Sequence, residues 1–145
     1  MCHSVVVLIL LLAGVTSSYT QQLLTWETLG DVKFSSIYAE ELGTDVTQAA
    51  FGPSVKALDN QQVLIKGFMI PLDPLGTKYV LSKNPMASCF FCGKAGPETV
   101  VELRLHPKSI RRYTMDEVHT FKGTLKINAK DWNMLHYIIE EAERQ

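Results

Sequence analysis

Residues 62–71, Gln-Val-Leu-Ile-Lys-Gly-Phe-Met-Ile-Pro, constrain the fold more than any other stretch of the chain. The run is dense in β-branched and aromatic side chains. Asp59-Asn60 precede it and Pro71 ends it, the punctuation expected around an extended strand. Gly67 stands in its middle, which predicts a bulge or a sharp bend. A sharply bent strand is how a small barrel lets one strand serve both of its faces. The neighbouring segments agree with that picture. Residues 72–76 form a turn, and residues 77–82 open a second strand that makes a hairpin or meander with the first.

Further along, residues 98–106 alternate. Val101, Leu103 and Leu105 point one way, while Glu102, Arg104 and His106 point the other. Pro107 ends that strand. Residues 118–128 alternate again, with Gly123 as a candidate bulge. Upstream, residues 25–30 read as a short helical turn capped by Thr25 and stopped by Gly30, and residues 31–35 as a short strand. Residues 36–60 have no decisive periodicity, with turn signals at 51–53 and 58–60. At the end of the chain, residues 128–131 resemble a capping box. Trp132, Leu135, Ile138, Ile139 and Ala142 then recur at helical spacing, which predicts a helix over 129–144. The expected fold is mainly β, of the α+β class: a small bent sheet or OB-like barrel with a C-terminal helix.

The N-terminus sets the expected compartment. Residues 5–15 are apolar and uncharged, too short a run to span a bilayer, which needs roughly 20 residues. The run has the length of a signal-peptide core, and the small residues Thr16, Ser17 and Ser18 follow it. Lys and Arg are missing ahead of it, so the amino terminus and His3 supply the positive charge. The expected organisation is a cleaved signal over residues 1–20 and a single domain over 21–145, in a periplasmic or secreted location that tolerates disulfides. After the signal no apolar run is long enough to cross a membrane. With 14 basic against 15 acidic residues, and no basic stripe with interleaved aromatics, nucleic acid is not an expected partner.

Removal of the signal would take Cys2 with it and leave Cys89 and Cys92 as the remaining thiols. The run Cys89-Phe90-Phe91-Cys92-Gly93 fits three chemistries. A metal knuckle uses Cys-x-x-Cys-Gly in a tight turn, with glycine taking a left-handed conformation at little cost. It is half a motif, because a tetrahedral site needs four ligands. His106 and His119 are the candidates to join the two thiols around zinc or copper, while His136 is better read as a satisfied edge residue. A thiol oxidoreductase would open a helix at the first cysteine to lower its pKa, but Gly93-Lys94-Ala95-Gly96-Pro97 is a poor helix start. A Cys89–Cys92 disulfide would serve a structural or partner-binding module. Trp26 and Trp132 read as core packing and Arg111-Arg112 as a solvated turn. No catalytic triad, phosphate loop or His-Glu-x-x-His is present.

Residues 51–73, with Leu58-Asp59-Asn60 ahead of Val63 and the run Gly67-Phe68-Met69-Ile70-Pro71-Leu72, resemble a family of exported bacterial proteins of unknown function. Its members share a Leu-Asp-Gly-Lys-x-Val segment followed by Gly-(Phe/Tyr)-Met-x-Pro-Leu. Trp26-Glu27-Thr28-Leu29 resembles the family's Trp-x-x-Leu lead-in, and Cys89 falls near its loop cysteine. The family's histidine and proline run are replaced here by Phe90-Phe91-Cys92-Gly93. The resemblance implies an oligonucleotide-binding-type barrel, an envelope or periplasmic location and a link to metal handling, but no established activity; the expected partner is an unknown envelope or periplasmic protein. The functional expectation is therefore an exported, non-enzymatic binding protein with a transition metal as its leading ligand.

Overall fold

The computed structural model describes residues 21–145. The expected signal segment lies outside the described residues. In chain order the elements are β1 (Gln22–Leu23), α1 (Trp26–Leu29), β2 (Val32–Ala39), β3 (Thr44–Phe51), α2 (Pro53–Lys56), β4 (Gln62–Pro71), β5 (Tyr79–Ser82), β6 (Val100–Leu105), β7 (Val118–Ile127) and β8 (Tyr137–Arg144).

Strands β4 to β8 close into a barrel in the order β4-β5-β6-β8-β7, with β7 returning to β4. All these pairings are antiparallel except β6–β8, which is parallel. This is an OB-like barrel. Strand β1 adds to β4 in parallel, and β2–β3 form a separate antiparallel hairpin. No helix among the described residues is long and apolar enough to cross a membrane.

Alternation places the core. Val63, Ile65 and Met69 of β4, Tyr79 and Leu81 of β5, Val101 and Leu103 of β6, and Phe121 and Leu125 of β7 all face the interior. Each such side chain contributes about 1.5–3 kcal/mol by leaving water. Leu29 of α1, Val55 of α2 and Phe51 of β3 plug one side of this core. Trp26 is fixed there by its indole N–H, which donates to Lys66 O at 2.8 Å.

Gly67 marks the bend. Residues 62–68 of β4 pair with β7, and residues 68–71 pair with β5. The strand therefore hands over between neighbours at this point. A Cβ on Gly67 would lie 2.6 Å from Ser82 O and 2.9 Å from both Leu81 Cγ and Trp26 Cζ2. Only glycine lets three elements meet so closely.

The expected C-terminal helix is overturned: residues 137–144 are strand β8. The helix-like spacing has a definite source. Glu141 sits at φ 52°, and the register of β8 shifts against both β6 and β7 around it. This inserted residue brings Ile139 and Ala142, three apart, onto the same interior face. A bulged strand thus reproduces the i, i+3 pattern of a helix. Tyr137, Ile138 and Ile139 are buried consecutively, as in a strand covered on both sides. The polar residues ahead of it make a loop instead of a helix cap. Asn128 Oδ1 accepts from the N–H groups of Lys130 and Asp131 at 3.2 and 2.9 Å, and Asp131 Oδ1 accepts from Asn133 N–H at 3.0 Å.

Candidate sulfur site

The loop between β5 and β6 leaves the barrel at the pair Ser82–Val100, and Lys83 N–H donates to Thr99 O at 2.9 Å to close its base. Between these points the chain makes three short 3₁₀ turns, Met86–Ser88, Phe90–Cys92 and Pro97–Thr99. Met86 opens the first of these turns and Cys92 closes the second, while Cys89 is the extended residue that joins them (φ −84°, ψ 172°), and its sulfur lies near both of theirs. The Cys89 thiol donates to Met86 Sδ at 3.5 Å, Cys89 and Cys92 Sγ stand 3.7 Å apart, and the Cys92 thiol donates to Met86 O at 2.8 Å. Both cysteines are free thiols.

Two features hold the loop in place. Gly93 ends the second turn at φ 69° and ψ 20°, the left-handed residue expected after a Cys-x-x-Cys pair. The N–H groups of Cys92 and Gly93 go to Cys89 O and Phe90 O, so they stabilise the turn. On the other side, Met86 N–H donates to Asp116 Oδ1 at 2.8 Å. Asp116 takes φ 63° and is itself tied to Met69 O through its N–H at 2.9 Å. The loop is thereby tethered to the barrel wall.

The environment of the two thiols is asymmetric. Cys89 is fully buried and forms a small apolar cluster with Ile70 and Val80, against which Met86 and Leu135 pack. Cys92 is exposed. The neighbouring Cys89 thiol pushes the Cys92 thiol above its ordinary pKa, desolvation adds to that, and the positive charge of Lys94 opposes it. A thiol held up in this way is a poor nucleophile at neutral pH. Metal binding requires thiolates, so an ion seated between two thiols displaces their protons.

Neither candidate histidine is gathered with the thiols. Among the described residues no group of three or more His, Cys, Asp and Glu side chains is placed to hold a metal ion. His106 follows β6, and its Nδ1 accepts from Lys108 N–H at 3.2 Å to cap the turn Pro107–Ser109. His119 lies in β7, with Nε2 2.7 Å from Glu117 Oε2 and 3.0 Å from Arg111 Nη2. Arg111 also reaches Glu117 at 2.8 Å and stacks over the Tyr113 ring at 4.2 Å. Hydrogen bonds from Thr114 and His119, helped by the positive charge of Arg111, lower the Glu117 carboxyl to a pKa of about 2. His136 is occupied through Nδ1 by Asn128 O at 3.0 Å. Met86 carries no expectation from the sequence beyond its position, a sulfur three residues ahead of Cys89.

A second feature is an open cleft of about 720 Å³ over β5 and β6, walled by Tyr79, Arg104, Arg111, Trp132 and Met134. Arg104 there is neutralised by Glu102 and Glu140, each at 3.2 Å. Trp132 Nε1 is buried without a hydrogen-bond partner.

No family model matches the chain. Neither a curated protein nor a solved structure matches it significantly.

Proposed function

We propose that this protein is an exported, non-enzymatic binding protein that captures a transition metal ion, zinc or copper, through Cys89 and Cys92. The observation that carries the reading is the 3.7 Å separation of the two sulfurs. Two thiolates bound to one tetrahedral ion at about 2.3 Å each stand about 3.8 Å apart. The pair therefore needs almost no rearrangement to bind. The loop geometry also favours capture, because the backbone turns and the Asp116 tether define where the sulfurs sit before any ion arrives. Export would place the site in the periplasm or outside the cell, with an envelope protein as donor or acceptor of the ion.

The test is metal retention. Reduced protein lacking residues 1–20, incubated with Zn(II) or Cu(I) and desalted, retains about one equivalent by elemental analysis on this reading. Cys89→Ser and Cys92→Ser each abolish retention. The exposed position of Cys92 makes the second variant the safer control for folding. Retention of neither ion by the reduced wild type would sink the reading.

The second reading is a partner-binding module whose thiols are oxidised to a disulfide. The open cleft over β5 and β6 favours it, since its wall joins apolar and charged side chains that could receive a partner. Intact mass of the exported protein separates the two readings. A value two hydrogens below the reduced form, with no bound metal, supports the module. The same spectrum reads the N-terminus and so tests removal of residues 1–20.

A further inference from the structure

We infer that Met86 is a third ligand, and that the site selects monovalent copper over zinc. The inference rests on the proposal that Cys89 and Cys92 bind metal, and it deepens that proposal by naming the ion and its donor set.

Three observations converge. Cys89 Sγ has two other sulfurs close to it, Met86 Sδ at 3.5 Å and Cys92 Sγ at 3.7 Å. Three sulfurs around one ion at about 2.3 Å lie about 4.0 Å apart in a plane and about 3.8 Å apart in a tetrahedron. Both observed separations are within about half an ångström of the planar value and closer to the tetrahedral one. Next, the donor set is deficient for zinc. A structural zinc ion requires four N, O or S ligands, and no third His, Cys, Asp or Glu joins the thiols among the described residues. A soft monovalent ion is satisfied by fewer ligands than zinc, and thiolate and thioether are donors that suit Cu(I). Finally, the surroundings suit a soft ion of low charge. Cys89 and Met86 rest on Ile70, Val80 and Leu135, an apolar floor with no group to coordinate a hard cation. The exposed Cys92 forms the entry side.

Binding is a simple exchange. Cu(I) forms bonds to two thiolates and one neutral thioether, and the two thiol protons pass to solvent. No electron moves. The complex carries one net negative charge, and Lys94 is the nearby cation that influences Cys92. Asp116 is a positioning residue, since its carboxylate holds the Met86 backbone.

The experiment is anaerobic competition of reduced protein lacking residues 1–20 with a chromophoric Cu(I) chelator, repeated with a Zn(II) chelator, for wild type and Met86→Leu. The substitution conserves volume and apolar packing, so the fold is retained; a thermal melt checks it. Removing a group that merely supports a ligand weakens a metal site about 10- to 100-fold, so loss of a direct donor is expected to weaken Cu(I) binding at least about tenfold. Zinc binding, if any, is unchanged. Selenomethionine-labelled wild type is expected to show copper–selenium back-scattering in X-ray absorption, absent in Met86→Leu. Tight Cu(I) binding that Met86→Leu leaves within twofold, or a spectrum without selenium, overturns the three-sulfur site while the two-thiol proposal stands. Wild type that binds neither ion overturns both.

Discussion

Replacing Gly67 with alanine tests whether the barrel depends on the close approach at its bend. The added Cβ would meet Ser82 O at 2.6 Å, Leu81 Cγ at 2.9 Å and Trp26 Cζ2 at 2.9 Å. None of these is the free end of a flexible chain. Ser82 O belongs to a strand paired with β4 at Phe68, Leu81 is fully buried, and Trp26 is pinned by its bond to Lys66 O. Relief therefore requires strand β5 or helix α1 to move. Overpacking of this kind costs about 1–3 kcal/mol, and three immobile neighbours place it near the upper end. The lower unfolded-state entropy of alanine offsets up to about 1 kcal/mol. The net loss is about 1–2 kcal/mol, which for a domain of this size lowers Tm by about 4–8 °C. Thermal melts followed by circular dichroism would measure it. Gly93→Ala provides the comparison: nothing lies within 4 Å of its Cβ, and only its φ of 69° is strained. A Gly67→Ala protein melting within 1 °C of wild type would refute the argument.

Two further predictions concern polar contacts. Tyr137 donates its buried hydroxyl to Leu29 O at 2.6 Å; Tyr137→Phe leaves that carbonyl unpaired and is expected to cost about 1–3 kcal/mol by chemical denaturation. Glu117 has a depressed pKa, so the stability it contributes is present above its ordinary value near 4.5 and is lost as pH falls through about 2. Wild type should therefore lose melting temperature between those pH values more steeply than Glu117→Gln, and equal slopes would exclude the Thr114–Glu117–His119 contacts as the cause.

The barrel was legible where local pattern and tertiary role coincide. Strands β4, β6 and β7 alternate because one face is core, and Gly67 announced its bend because a crowded crossing excludes every larger residue. Strand β8 was misread because its bulge at Glu141 converts a two-residue repeat into a three-residue one, and local periodicity alone does not separate that from a helix. The β2–β3 hairpin was only partly read. Its outer half, with Tyr38 and Leu42 exposed, carries no alternation to betray it, whereas Val32, Phe34 and Phe51 pack on the core. At the sulfur loop the proximity of Cys89 and Cys92 followed from spacing. The position of both histidines depended on strand order and on partners distant in sequence, such as Glu117 for His119.

The separation of the Ile70–Val80–Cys89 cluster from the barrel interior has a consequence for how such a molecule can diversify. A sequence exchanged into residues 84–98 leaves that interior alone but must still cover Ile70 and Val80, as Cys89 does here. Change in this loop is therefore confined to one small patch of the wall, much as a socket can be reshaped without recasting the handle.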